Sequence, residues 1–189
     1  MARARKVAVF VGSLRAASYN RQLALGLAKL APSDWAFEHV EIGDLPLYNQ
    51  DHDKAMPEPA LRLKQHVAGA EALLFVTAEY NRSIPGVLKN AIDTASRPYG
   101  HNSFAGKPAG VIGASVGAIG TALAQQHLRN VLAYLDVPVL GQPEAFIHYP
   151  DGLVDAGGNI TDARVRSFLQ QWVDAYVAFV DAHLRQVQA

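Results

Sequence analysis

The 189-residue chain contains no cysteine, which removes disulfide staples, thiolate nucleophiles and cysteine-based metal sites at once. The absence fits a reducing compartment. Charge is also sparse. Only 18% of residues are charged, and 17 basic side chains balance 17 acidic ones. No basic block draws the chain toward nucleic acid or an anionic membrane, so neither partner is expected. Long hydrophobic runs are missing too, and membrane insertion is not expected. The basic lead-in Met1-Ala2-Arg3-Ala4-Arg5-Lys6 meets only a short apolar stretch, Val7–Val11, before Gly12. That pattern suits a buried strand better than the longer apolar region of a signal peptide. The expected location is the cytoplasm. The seven histidines do not cluster, and with no His-x-x-x-His pair no metal site is expected.

Half of the residues are apolar, enough for a sizeable core and too many for disorder. The length suits one domain, residues 1–189, and is short for two. Apolar runs alternate with segments of helical period. Val7–Val11, Ala72–Thr77 and Pro108–Ala114 read as strands buried on both faces, and Phe37–Ile42 as a weaker one. Val137–Leu140 and Ala145–Ile147 read as two pieces of a fifth strand. Helices are expected from near Ser18 to Asn20, from Pro57 to Gly69, from Pro85, and from near Ile119. A last long helix is expected to carry Thr161 as N-cap, Asp162 in its first turn, and a core stripe that includes Phe168, Trp172 and Tyr176. Such alternation implies an α/β fold with a parallel sheet and helices on both faces. Ligands of these sheets bind beyond the carboxyl ends of the strands, where the strand order reverses. The loops after strands one, three and four are therefore the ones to read for chemistry.

The first of these loops is Gly12-Ser13-Leu14-Arg15-Ala16-Ala17-Ser18-Tyr19-Asn20. Glycine permits a tight exit from the strand, and the following backbone N–H groups can converge on an anion. Ser13, Ser18 and Asn20 add neutral donors, Arg15 a charged one, and the helix N-terminus its dipole. Neither Gly-x-Gly-x-x-Gly nor Gly-Lys-Ser/Thr is present, so a terminal phosphate monoester of a mononucleotide fits better than a pyrophosphate. The loop after strand three runs from Thr77 to Asp93 and holds Tyr80, able to cover a planar ring, beside Asn81, able to bond a ring's polar edge.

Gly-Ser-Leu-Arg-x-x-Ser-x-Asn followed by Glu-Tyr-Asn-x-Ser-x-Pro-Gly-x-Leu-Lys-Asn-Ala-Ile-Asp resembles the NADPH-dependent FMN reductases, in particular their quinone, azo-dye and chromate reductase branch. The resemblance spans Val7 to at least Ile147. It implies a flavodoxin-like, doubly wound sheet of five parallel strands in the order 2-1-3-4-5. It also implies FMN as cofactor and NADPH or NADH as electron donor, in a ping-pong cycle. Small-molecule electron acceptors would be the partners: quinones first, then azo compounds, nitroaromatics and chromate. Ser13, Arg15, Ser18, Asn20 and Gln22 would surround the FMN phosphate. Glu79, Tyr80, Asn81 and Ser83 would line the isoalloxazine, largely through backbone groups, and Ser115 and Gly117 would stabilise its pyrimidine edge. The helix beginning near Ile119 would point its positive end the same way. The stretch from Gln125 to Arg129 and Glu144 would fall at subunit contacts of a homodimer or homotetramer. One departure is Ala78, where the family often has proline, and it bears on the stiffness of that loop.

Two other readings compete. A flavodoxin-type carrier would bind FMN without oxidising NAD(P)H itself, although such carriers are usually acidic and shorter. Residues 113–117 also match Gly-x-Ser-x-Gly, the nucleophile elbow of serine hydrolases. Ser115 would then need an acid, Asp136 or Asp155, and a histidine, His148 or His183.

Overall fold

The computed structural model describes residues 4–188; Met1–Arg3, part of the basic lead-in, and Ala189 lie outside the described residues. The strands are β1 (Arg5–Gly12), β2 (Trp35–His39), β3 (Ala72–Thr77), β4 (Ala109–Ser115) and β5 (Phe146–His148). All pair in parallel, in the order β2-β1-β3-β4-β5. The helices are α1 (Tyr19–Leu30), α2 (Glu58–Gly69), α3 (Gly86–Ala95), α4 (Ala122–Tyr134) and α5 (Ala163–Gln188).

The strand period of two decides which helix each side chain meets. Val7, Val9, Val11, Leu74, Val76 and Ile112 point to one face, where Leu23 and Leu27 of α1 and Leu169, Trp172 and Tyr176 of α5 cover them. Ala8, Phe10, Leu73, Phe75 and Val111 point to the other, under α2, α3 and α4. Burial on both faces is why the central strands are continuous apolar runs. Helix α5 presses closely on β4. A Cβ at Gly110 would stand 2.8 Å from Trp172 Cη2 and 2.9 Å from Tyr176 Cδ2. The buried Tyr176 hydroxyl donates to the Leu73 carbonyl at 2.9 Å, and burial pushes its pKa up, which keeps it a donor.

Several expected boundaries move. β2 ends at His39, although the Val40 N–H still donates to the Val9 carbonyl at 2.9 Å, and Val40 and Ile42 bury themselves in the core on the α2–α3 face. Val137–Leu140 touches β4 only through a single bridge, Ala109 to Val139, and β5 proper is just Phe146–His148. The α5 cap is Asp162 rather than Thr161: its Oδ1 accepts from Arg164 N and Val165 N, while the Thr161 hydroxyl donates to Gly152 and Leu153 carbonyls. Phe168 is 37% exposed and leaves the core stripe. Helix α4 begins at Ala122, three residues later than expected from Ile119.

The chain passes from β1 outward to β2 and then returns over β1 to β3. That reversal opens a crevice beyond the carboxyl ends of β1, β3 and β4. None of the described helices is long and apolar enough to cross a membrane.

Candidate functional site

The crevice is lined by Ser13, Arg15, Ser18, Tyr19 and Asn20 from the loop after β1, by Ala78, Glu79 and Tyr80 from the loop after β3, and by Ala114, Ser115 and Val116 at the end of β4. Ser18 is the N-cap of α1, its Oγ accepting from Arg21 N at 3.2 Å. No acidic residue occupies the first turn of α1, so the positive end of the helix keeps its field. Asn20 is buried and pairs twice with Ala114, donating from Nδ2 to the carbonyl at 3.0 Å and accepting at Oδ1 from the N–H at 2.9 Å. Its amide is thereby spent on joining α1 to β4. Arg15 folds back on the loop. Its Nε and Nη2 donate to the Ala17 carbonyl at 3.0 and 2.6 Å, and its guanidinium lies 4.5 Å from the centre of the Tyr19 ring. The Nη1 edge stays free for an anion.

The loop after β3 is built differently. Tyr80 and Ser83 exchange two backbone hydrogen bonds of 3.0 Å, closing a two-residue hairpin over Asn81 and Arg82. Both central residues have positive φ, 52° and 67°, as a mirror-image type I turn requires. Asparagine tolerates that conformation readily, whereas arginine is strained in it. Ser83 Oγ lies 2.8 Å from His127 Nδ1 on α4. Glu79 reaches the same helix: its Oε2 accepts from Leu123 N and Ala124 N, both at 3.1 Å. Thr121, the residue before α4, has φ of 75° and gives no side-chain cap, so Glu79 caps the helix from another loop. This corrects the expectation for α4. Its positive end is bonded to a carboxylate and is not bare toward a ligand. The same contacts fasten the loop without a proline at Ala78.

At the end of β4, Ser115 Oγ donates to the Gly117 carbonyl at 3.2 Å. Gly113 lies where no side chain fits, since a Cβ would overlap the Thr77 carbonyl and Thr121 Oγ1. Among the described residues, the N–H groups of 14–17 and of 116–119 find no acceptor in the chain. Of these, Arg15 and Val116 line the crevice, and unsatisfied donors on two of its loops, with the Ser13 and Ser18 hydroxyls beside the first, fit an elongated ligand. One end would be a phosphate and the other a ring edge carrying acceptors.

Residues 5–151 match the family described as NADPH-dependent FMN reductase. The chain belongs to the NADPH-dependent FMN reductases. A 2-hydroxy-1,4-benzoquinone reductase of a Burkholderia species is 57% identical over 175 residues, 93% of this chain and 96% of that protein. A quinone reductase of Pseudomonas putida is 48% identical over 181 residues, covering 95% and 97%. Among solved structures, the flavoenzyme NAD(P)H:(acceptor) oxidoreductase FerB of Paracoccus denitrificans superposes with a TM-score of 0.91 at 48% identity, covering 95% of this chain and 98% of FerB. A flavodoxin from Pseudomonas aeruginosa, at 19% identity and a TM-score of 0.57, shares the fold.

The protein is thus an NAD(P)H-dependent FMN oxidoreductase with a flavodoxin-like sheet in the order 2-1-3-4-5. Its crevice gathers Ser13, Arg15, Ser18, Asn20, Glu79, Tyr80 and Ser115, whereas Gln22, Asn81, Ser83 and Gly117 do not line it. Gln22 sits behind the first loop, its Oε1 accepting from the Tyr149 hydroxyl. The sequence reading missed both Tyr19, which faces the crevice, and Tyr149. Tyr19 stood inside the first motif and had only to be weighed; Tyr149 carries no local signal, because the partners of its side chain, Gln22 and Tyr19, are more than a hundred residues away.

The hydrolase arrangement does not form. The Ser115 hydroxyl is given to Gly117, and no hydrogen bond joins it to a histidine among the described residues. His148 is its register neighbour on β5 and still does not bond to it. His183 bonds the Gly106 carbonyl, whose loop precedes β4 at the opposite end of the sheet, and Asp155 is engaged with Asn159.

Proposed function

We propose that this oxidoreductase uses the crevice above β1, β3 and β4 to transfer electrons from NAD(P)H to quinones in two separate visits to one site. The observation that carries this reading is one crevice lined by the loops after β1, β3 and β4, in which Arg15 and Val116 belong to two runs, 14–17 and 116–119, whose N–H groups find no acceptor among the described residues. Residues 13–18, with the free edge of Arg15, would hold the FMN phosphate, and Asn20 and Gln22 would support that loop from behind. Ser115, Gly117 and the N–H groups that follow would take the pyrimidine edge, where they stabilise negative charge on the reduced ring. Tyr80, 54% exposed at the rim, would flank the ring, held there by Glu79, Asn81 and Ser83. FMN, when bound, supplies the reversible two-electron chemistry, so no side chain is required as an acid or base. The residues position, orient and shield.

The quinone preference rests on relatives at 48–57% identity that are named for quinone reduction. A homodimer or homotetramer is part of the same proposal: Val116 at the crevice, Ile119 and Leu123 at the start of α4 and Phe146 on β5 are all exposed, and apolar surface of that kind is ordinarily covered.

The test is the visible spectrum of the protein after FMN is added and the excess removed, followed by anaerobic NADPH and then a benzoquinone. Flavin bands at near-equal molarity that bleach with NADPH and return with quinone are the expected result. A colourless protein would overturn the site, and bound flavin that neither NADPH nor NADH bleaches would make the chain a carrier. Bleached flavin that a quinone fails to reoxidise would move the acceptor to another class. Light scattering reads the subunit number in the same samples, and a monomer would overturn the assembly.

A further inference from the structure

Behind the anion loop stands a ladder of rings that no motif announces. The Arg15 guanidinium lies 4.5 Å from the Tyr19 ring centre, and Tyr19 packs on Tyr149 with centres 4.6 Å apart and planes 31° from parallel. Tyr149 is 1% exposed. Its hydroxyl donates to Gln22 Oε1, and its backbone N–H donates to the Ser115 carbonyl at 2.8 Å. One residue after β5 therefore touches both walls of the crevice: α1 through its side chain and the end of β4 through its backbone. Burial raises the pKa of the Tyr149 hydroxyl, which stays a proton donor. The Tyr19 hydroxyl completes the frame with a 3.4 Å bond to Asp151 Oδ1.

We infer that Tyr149 is a positioning residue for phosphate recognition. It fixes the Tyr19 ring, that ring carries the Arg15 guanidinium, and the unused Nη1 edge of Arg15 is thereby aimed at the phosphate. The inference rests on reading residues 13–18 as the FMN phosphate loop. A long arginine on an exposed loop has many rotamers, and an anion must otherwise order it at the cost of binding free energy. Stacking on an aromatic face that is itself clamped removes part of that cost in advance. The Tyr149 hydroxyl acts on a different element. It pins Gln22 in the second turn of α1 and so keeps the helix start in register with the ladder.

The signature is selectivity for FMN over riboflavin, which lacks the phosphate. A general loosening of the protein weakens both ligands equally; a misaimed arginine weakens FMN alone. Dissociation constants for both flavins are measured by fluorescence quenching on the apoprotein, with the thermal midpoint recorded for every variant. Tyr149→Leu and Tyr19→Leu are expected to reduce FMN affinity by about fivefold and leave riboflavin unchanged. Tyr149→Phe, which keeps the ring, is expected to retain most of the selectivity. Tyr19 is only partly buried, so its variant stands in if Tyr149→Leu does not fold. Equal weakening of the two flavins, or an unchanged FMN-to-riboflavin ratio in the folded variants, would overturn the inference. Arg15→Ala separates the two levels. If it lowers the ratio and the tyrosine variants do not, the ladder fails and the phosphate loop survives. If Arg15→Ala leaves the ratio untouched, the phosphate-loop reading fails and the ladder goes with it.

Discussion

The two principal loops of the crevice solve one problem by different means. The loop after β1 closes no backbone hairpin; within it only the Arg15 side chain bonds back, to the Ala17 carbonyl. It is fixed from behind by buried side chains: Asn20 on Ala114, Ser18 on the start of α1, and Tyr149 on Tyr19 and Gln22. Its N–H groups at 14–17 are left free among the described residues. The loop after β3 closes on itself in a hairpin, accepts strain at Arg82, and is tied to α4 by Glu79 and Ser83. A loop that binds an anion through its backbone must keep its donors unspent, so the anchoring falls to neighbouring elements. A loop that presents a side chain to a ring can spend its backbone on itself.

The largest effect is expected where both designs meet. Gly113 packs against Thr77, before the second loop, and against Thr121, before α4. Gly113→Ala should cost about 3 kcal/mol, because backbone has to move to admit the methyl group; denaturant unfolding and the folded yield report it. Next comes the anchor of the first loop. Asn20→Ala leaves the Ala114 N–H and carbonyl without partners, at about 2 kcal/mol. If the first loop is fixed from behind, its FMN affinity falls along with the thermal midpoint. An unchanged affinity would show that the loop holds its shape unaided.

In the second loop, Glu79→Ala removes a helix cap and should cost about 1 kcal/mol. That is a few degrees in Tm for a chain of this size. Glu79→Gln should recover part of it, since a neutral oxygen still accepts from the α4 start. Arg82→Gly is expected to stabilise the protein by about 0.5 kcal/mol, because glycine enters the left-handed region without strain; a loss of stability would mean that the distant 3.8 Å pair with Glu79 outweighs the strain. The smallest effect sharpens the comparison most. On adding FMN, hydrogen exchange should slow at residues 14–17 and 116–119, whose N–H groups have no acceptor in the chain. It should change little at Tyr80 and Ser83, which are already bonded. Equal protection at all of these positions would erase the distinction between the loops.

Much of this was legible in the linear chain. The apolar runs of β1, β3 and β4 are buried on both faces, and an alternating strand–helix order leaves few sheets to choose from. The start of α1 near Ser18 to Asn20 and the start of α3 after Pro85 were local signals and were read correctly. Edges were less legible. Ile42 is as apolar as a strand residue and is buried, yet it sits beyond the last pairing of β2 and the Val40–Val9 hydrogen bond that follows it, because a chain leaving a sheet edge can still cover its face. The cap of α5 moved to Asp162 for a similar reason: Thr161 spends its hydroxyl on the turn that precedes it.

The sequence by itself determined the layered α/β architecture, the loops that must meet at the carboxyl end of the sheet, and the character of the loop after β1, with its two serines and one arginine and no acidic residue. Those follow from periodicity and residue chemistry, which act over a few positions. Only the tertiary structure decided which polar side chains remain available to a ligand. Asn20 and Glu79 both looked like ligand groups, and both are committed to backbone on another element, Ala114 in one case and the start of α4 in the other. Tyr149, silent in the chain, joins α1 to the end of β4. A hydrogen bond or a ring contact is decided by distance in space, and distances across 94 and 127 residues are set only when the sheet has closed.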